Sequence, residues 1–306
     1  MDKKKVLYFG NFKSEVQTID QEILYSLKQK SEVFPFDIRS FEENDMRKII
    51  EKSKECDIFL FHALIPENND MILGLIIERL IALLQNVKCK KVLWFMDKIA
   101  GNKIKIITGF EPHVDYIFLT DDTWLRRFTS DKLFFLPPAS SENIKNGRKK
   151  KEFECDIAMC ASLYGERIKM YEFLKKKFGK SFKLFDDKFG KDFSSLCKSA
   201  KIILCPQYPF DDFFWSDRIY NTLASGGLCL HPRTYGLEEQ GFKDGEHYIS
   251  YRTEQDLFVT IKMLLDKKSN TMRRVISKQG QEFVKGQTYG KRIEVIFDKV
   301  NETKSK

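Results

Sequence analysis

The sequence predicts an α/β protein built as two successive doubly wound halves, each a parallel sheet covered by helices on both faces. Three observations carry this reading. Short continuous apolar runs, such as Val6-Leu7-Tyr8-Phe9 and Ile202-Ile203-Leu204-Cys205, alternate with stretches of helical periodicity, as strands buried on both faces require. Pro137-Pro138 and a polar, basic stretch after it interrupt the series, and a second series of the same kind follows. The length of 306 residues suits two domains of roughly 150 residues each.

In the first half, Val6–Phe9 reads as a strand ending at Gly10, and Val16, Ile19, Ile23, Leu24 and Leu27 recur at helical spacing. Val33–Phe36 and Ile58–Phe61 follow as strands, 71–85 as an apolar helix, and 92–95, 116–119 and 133–136 as further strands. The expected first domain is 1–138 and the linker 139–152. The linker's basic run Arg148-Lys149-Lys150-Lys151 reads as a solvated segment rather than a nucleic-acid patch, because no aromatic residue interleaves it. The second domain, 153–285, repeats the pattern. Strands are expected at 156–161, 182–185, 202–205 and 228–230, and helices at 167–178, 193–200, 217–225, 254–265 and 273–285. Gly226-Gly227 supplies the stop after the helix at 217–225.

Composition narrows the function classes. With 42% hydrophobic and 32% charged residues the chain can build a core, and 8 Pro and 16 Gly exclude a collagen-like polymer. Lys+Arg 53 against Asp+Glu 44 gives a net charge of +9, compatible with an anionic ligand, a peripheral contact with an anionic membrane, or nucleic acid. The first five residues are followed by only four apolar or aromatic ones, too few for a secretory signal. The oily segment 71–84 is broken by Glu78-Arg79 and falls short of the roughly 20 residues a transmembrane helix needs. Seven cysteines, with no C-x-x-C, point to reduced thiols in a cytoplasm rather than to disulfides or structural zinc.

Ligands of open α/β sheets bind beyond the carboxyl ends of the strands, and two such places in the second half carry suggestive residues. In Ser162-Leu163-Tyr164-Gly165-Glu166-Arg167, Gly165 allows close backbone approach. Arg167 could fork onto a phosphate beside a helix N-terminus; the plain alternative is a surface arginine in a turn. In Trp215-Ser216-Asp217-Arg218-Ile219-Tyr220-Asn221, Ser216 is a natural N-cap. Arg218 and Asn221 share a helix face, offering a cation to a pyrophosphate and an amide to a hydroxyl. Here the plain alternative is that Asp217 and Arg218 are ordinary cap and helix-dipole residues. Phe210, Phe213, Phe214 and Trp215 crowd the preceding loop, either as a pocket wall or as a buried anchor. Nothing resembles a P-loop or a nucleophile elbow.

The run Ser216–Tyr220, then Leu223-Ala224-Ser225-Gly226-Gly227, Tyr235-Gly236-Leu237-Glu238, Phe242-Lys243-Asp244-Gly245 and Thr288-Tyr289-Gly290-Lys291-Arg292 resembles, in order and spacing, the C-terminal domain of the CgeB-like (spore-maturation-type) glycosyltransferases. The resemblance covers 155–300; the first half matches only in layout. It implies a GT-B architecture: two Rossmann-like domains facing across a cleft, a nucleotide-sugar donor on the second, an acceptor on the first. It also implies a last helix, within 286–306, that packs back on the first domain. Carried over by position, Arg167, Arg218, Ser162, Gly165 and Asn221 would meet the diphosphate and ribose. Gly226, Gly227, Tyr235, Gly236 and Leu237 would lie near the nucleotide or sugar. Many relatives of this fold have a Glu where Asn221 stands, and a second Glu where Phe213 stands.

Breaking a sugar–phosphate bond loads charge onto the departing diphosphate, which cationic side chains and a helix N-terminus can carry without a metal. No D-x-D triplet occurs, so no metal and no cofactor is expected. The acceptor's proton needs a base from the first half. His62 and Asp97, each just after a strand, are the candidates, with His113 behind them and a hydrogen-bonded loop residue the plain alternative for each. The reading is a cytoplasmic, metal-independent glycosyltransferase. Its rivals are a nucleic-acid-modifying glycosyltransferase and a non-catalytic nucleotide- or glycan-binding module.

Overall fold

In the computed structural model, which describes residues 3–12, 18–38, 43–62, 70–144, 147–186, 188–208 and 210–302, the apolar runs of each half become the strands of one sheet. Val16, expected on the first helix, lies outside the described residues. The chain divides into unit 1, Met1–Pro137 with Arg292–Lys306, and unit 2, Pro138–Lys291.

Unit 1 runs β1 (Lys5–Gly10), α1 (Ile19–Lys30), β2 (Glu32–Asp37), α2 (Glu43–Ser53), β3 (Ile58–Phe61), α3 (Asp70–Asn86), β4 (Lys90–Phe95), α4 (Asn102–Phe110), β5 (Tyr116–Leu119), α5 (Asp122–Leu125) and β6 (Leu133–Phe135). Its strands pair in the order β2-β1-β3-β4-β5-β6, every neighbour parallel. β3, β5 and the four residues Val6–Phe9 are buried throughout, as strands covered on both faces must be. Leu7, Phe9, Phe59, Phe61, Leu93 and Ile117 share one core with Leu83 and Leu84 of α3 and Ile107 and Phe110 of α4.

Unit 2 runs β7 (Cys155–Cys160), α6 (Glu166–Phe178), β8 (Phe182–Phe185), α7 (Gly190–Ser199), β9 (Ala200–Leu204), α8 (Arg218–Ala224), β10 (Cys229–Pro232), α9 (Tyr235–Glu239), β11 (Ile249–Tyr251), α10 (Glu254–Leu265) and α11 (Asn270–Phe283). The strand order is β11-β10-β9-β7-β8, again parallel throughout. Both sheets reverse direction of growth beside their first strand, between β1 and β3 and between β7 and β9. Such a reversal opens a crevice at the carboxyl edge. A last helix, α12 (Tyr289–Glu302), starts in unit 2 and continues into unit 1. Within unit 1 it is tied by Lys30 to Glu294 (2.5 Å) and by Lys4 to Asn301 (2.7 Å).

Several elements differ from the sequence reading. β11 escaped it because Ile249-Ser250-Tyr251 is short and has a polar centre. α2 escaped it because its sequence is mostly charged, and only Met46, Ile49 and Ile50 reach the core. Ala139, Ser140, Ser141 and Ile144, which composition assigned to a linker, are buried in unit 2. There Ser140 N–H donates to the Gln287 carbonyl (2.9 Å) and its own carbonyl accepts from Tyr289 N–H (3.2 Å). Among the described residues, no helix is long and apolar enough to cross a membrane, and all seven cysteines are free thiols.

Among the described glycine contacts of unit 2, the tightest is at Gly280 on α11. A Cβ there would overlap the backbone carbonyl of His247 and press on Leu223 of α8. Gly280→Ala therefore forces backbone to move, and should destabilise the protein by about 1–3 kcal/mol. A thermal melt indistinguishable from wild type would contradict the packing described.

Candidate functional site

The carboxyl edge of the unit 2 sheet collects the two arginines. β7 ends at Cys160, and the turn after it brings the chain into α6 through Gly165. Gly165 has φ +52°, a conformation side-chain-bearing residues avoid, and a Cβ there would strike the Tyr208 ring. This turn folds Arg167 inward: the residue is only 8% exposed. Its Nη1 donates to the Ser162 carbonyl (3.4 Å) and its guanidinium lies 4.4 Å from the Tyr164 ring centre. Its Nε is buried with no hydrogen-bond partner. Burial, and after it the charge of Arg218, holds the Arg167 pKa below the ordinary arginine value. The two guanidinium groups thus repel each other.

Arg218 opens α8, which comes after β9 through the loop from Cys205 to Asp217. Its Nη1 donates to the Pro206 carbonyl (3.3 Å). Its charge is also felt by His231, at the end of β10, where burial is the main cause of a pKa near 4. His231 is therefore neutral at physiological pH. Ser216 is not the N-cap: Asp217 holds that position with helical backbone and makes no side-chain cap bond, and its carboxylate accepts from Asn221 Nδ2 (2.9 Å). Burial raises the Asp217 pKa against the pull of Arg218 and Asn221. Asn221 in turn accepts from Ser141 N–H (3.0 Å) through Oδ1. A Glu at 221 could not donate to Asp217, so the amide here is a structural clasp between α8 and the 138–144 segment. Ser162, Lys188, Gly190, Asp217, Arg218 and Asn221 line a cavity of about 160 Å³.

Other expected site residues divide. Gly226 and Gly227 lie at the opposite, amino edge of the sheet from the arginines. α8 runs antiparallel to the strands, so its first and last turns sit at opposite edges, and Gly227 packs on Cys197, Ile203 and Thr222. Tyr235, Gly236 and Leu237 form the start of α9 at the carboxyl edge. Tyr235 is exposed beneath Arg233, Gly236 is wedged against Trp215 with its N–H on the Asp212 carbonyl (2.7 Å), and Leu237 is core. Trp215 and Phe214 are the buried anchor of the loop, whereas Phe210 is exposed.

In unit 1, the crevice between β1 and β3 holds a cluster that includes one candidate base. His62 comes directly after β3 and is 6% exposed, and its Nδ1 lies 3.2 Å from Asp20 Oδ1. Asp20, in the first turn of α1, also accepts from Tyr8 Oη (2.6 Å) and Asn11 N–H (3.0 Å). A Cβ at Gly10 would collide with this carboxylate, so the lone glycine after β1 makes room for Asp20. A Thr18–Gln21 capping box holds the turn, with Gln21 Nε2 reaching the Phe12 carbonyl (2.9 Å). Burial opposes charge on both partners. For Asp20 it is outweighed by the His62 charge and three hydrogen bonds, leaving its pKa below the ordinary value. For His62 it is outweighed by the Asp20 carboxylate, leaving its pKa above the ordinary value. Asp97 is exposed and paired with Lys103 (3.3 Å), close enough to His62 for its charge to add to the rise. His113 lines a groove with Lys90, Asp115 and Lys132 at the amino edge of the sheet, away from this crevice. Asp20 was missed because an acidic residue in a first helical turn is the commonest of N-terminal features. The available signal was Gly10, ten residues upstream.

Residues 167–298 match a family model described as "Glycosyl transferase-like". No curated protein sequence matches the chain. Among solved structures, an alpha-glucosyltransferase in complex with UDP-glucose and DNA containing an abasic site is similar at TM-score 0.69 and 10% identity, over 98% of this chain and 100% of that one. HepE of Anabaena, in complex with UDP and glucose, is similar at 0.68 and 8%, over 98% and 100%. Sucrose-phosphate synthase of Thermosynechococcus elongatus is similar at 0.64 and 9%, over 98% and 100%. At such identities the likeness is one of fold. The fold is therefore that of the GT-B glycosyltransferases, and within it residues 167–298 resemble the glycosyl transferase-like family.

Proposed function

We propose that the protein transfers a sugar from a nucleoside-diphosphate donor held by unit 2 to a hydroxyl acceptor whose proton is taken by unit 1. The observation that carries this reading is Arg167 and Arg218 together: two mutually repelling cations at one strand edge, one with a buried, unpaired donor nitrogen. A diphosphate relieves both costs at once. As the sugar–phosphate bond breaks, its electron pair stays on the diphosphate, and the fixed guanidinium groups stabilise the charge that develops. The lined cavity is smaller than the roughly 300–1,000 Å³ of a complete ligand pocket, so it fits one part of such a donor. The arginines replace the metal that other phosphate sites use. A uridine-diphosphate sugar is the first donor to try, because two of the similar structures carry UDP-glucose or UDP with glucose. The order of segments from 216 to 292 supports a CgeB-like enzyme, and the seven free thiols fit a cytoplasmic one.

The acceptor's proton goes to His62. Nδ1 is engaged by Asp20, so Nε2 is the atom left for the acceptor, with no partner among the described residues. Asp20 orients the ring and stabilises the imidazolium that forms. Asp97, nearby and exposed, adds negative potential rather than holding the ring. The pair also has a pH window for stability. Asp20's contribution is present above its ordinary value of 3.8 and lost as pH falls through its lower folded value. His62's is present below 6.5 and lost as pH rises through its higher folded value.

Arg218→Ala should lower transfer by about 10²–10³-fold and abolish the thermal shift given by the donor, with the melt of the free protein preserved. Wild-type turnover by a folded variant would remove the donor site from Arg218. Asp20→Asn should drop the His62 pKa below the ordinary histidine value, because burial persists when the carboxylate charge is gone; an NMR titration of the imidazole reads this directly. The rising limb of kcat/KM against pH, set by neutral His62, should move to lower pH in the same variant. An unmoved limb would mean that another group takes the proton.

A further inference from the structure

The amino edge of the unit 2 sheet, opposite the arginine pair, carries a second groove that the proposed reaction leaves unused. Its volume is about 470 Å³, and it is lined by Lys149, Lys198, Lys201, Arg273, Arg274 and Lys278, with no carboxylate among the lining residues. One wall is the segment at Lys149 with the end of α7 and the start of β9; the other is α11. Three of the cations are partly committed. Lys198 Nζ donates to the Gly147 carbonyl (2.7 Å), Lys201 pairs with Asp156 (2.7 Å), and Arg273 reaches the carbonyls of Leu264 and Asp266. The other three, Lys149, Arg274 and Lys278, are exposed and make no hydrogen bond or ion pair among the described residues. Arg274 and Lys278 are one helical turn apart on α11, facing Lys149 across the groove.

We propose that this groove binds the phosphodiester backbone of a nucleic-acid duplex, without reading its sequence. The walls offer charge and uncharged polar groups, Ser199, Asn270, Ser277 and Gln281, with little apolar surface. Of the apolar lining residues, Cys197 and Leu228 are buried beneath the floor and half-buried Ala200 offers one methyl, so there is no pocket for the apolar anchor on which a peptide partner depends. A lipid surface needs apolar and basic residues on one helix face. On α11 the exposed apolar residues, Met272 and Val275, are off the face formed by residues 270, 273, 274, 277, 278 and 281. No aromatic side chain lines the groove, which removes the stacking platform that holds single strands. Phosphates contacted by lysine and arginine position a duplex without specifying it. The proposal is independent of the donor site and of the sugar transfer.

The test is fluorescence anisotropy of the full chain with a labelled duplex of about 25 base pairs, titrated between about 50 and 200 mM salt. The wild-type protein should bind, with log K falling linearly in log salt. The triple variant Lys149→Gln, Arg274→Gln, Lys278→Gln should bind at least about tenfold more weakly, with the slope reduced by about one for each charge removed. If the triple variant melts early, the single change Lys149→Gln should still reduce the slope by about one. Absence of duplex binding at the lowest salt overturns the proposal, as does a triple variant that keeps wild-type affinity and slope. Loss of sedimentation with phosphatidylserine vesicles, at unchanged duplex binding, would assign the groove to a membrane and overturn it too.

Discussion

Holding two arginines within reach of each other's charge, at the carboxyl edge of one sheet, is the constraint on which the proposed donor site rests. A buried donor without a partner costs about 1–3 kcal/mol, and the Arg167 Nε is such a donor. The fold sustains that cost by over-determining Arg167: the left-handed Gly165 turn, the Tyr164 face and the Ser162 carbonyl all fix it. Arg218 is fixed by its place at the start of α8, itself pinned through Asp217, Asn221 and Ser141. A site kept ready in this way needs little rearrangement when charge appears, which is the catalytic value the proposed reaction would draw from it.

The two units solve the same topological problem with opposite electrostatics. Each sheet grows outward in both directions from its first strand, and each opens a crevice beside that strand. In unit 2 the crevice is edged by cations, the feature on which the proposed donor site rests. In unit 1 it is edged by a buried carboxylate that three neighbours satisfy and that turns a histidine into a strong proton acceptor. Tyr8 is a strand residue, Asp20 a helix residue and His62 a post-strand residue. Their meeting shows how a parallel sheet gathers functional groups from distant parts of a chain at one edge.

Charge is also sorted between the edges of unit 2. The carboxyl edge carries the arginine pair with exposed aromatic residues, Tyr164, Phe210 and Tyr235, around it. The amino edge carries lysines and arginines with no aromatic lining at all. Unit 2 thus carries two local concentrations of positive charge, one in a small cavity and one in an open groove.

The strands and the longer helices were readable in the sequence because burial on both faces demands unbroken apolar runs, and helical packing demands its own spacing. Ile58–Phe61 and Tyr116–Leu119 occur where those runs stand. Arg167, Arg218 and His62 were readable as candidates because each lies beyond the end of a strand, and parallel strands deliver their outgoing loops to one edge. Which of the candidates meet was beyond any local pattern. Gly226 and Gly227 neighbour the arginines in sequence but sit across the sheet, since α8 carries the chain back from one edge to the other. Asp20 is 42 residues from His62 in sequence yet bonded to it, and Lys149 joins α11 in one groove although more than a hundred residues separate them. Sequence determines which segments can be strands and helices, because that depends on neighbours along the chain. Only the tertiary structure decides the partners of a charge, because those depend on strand order and on which edge each loop leaves.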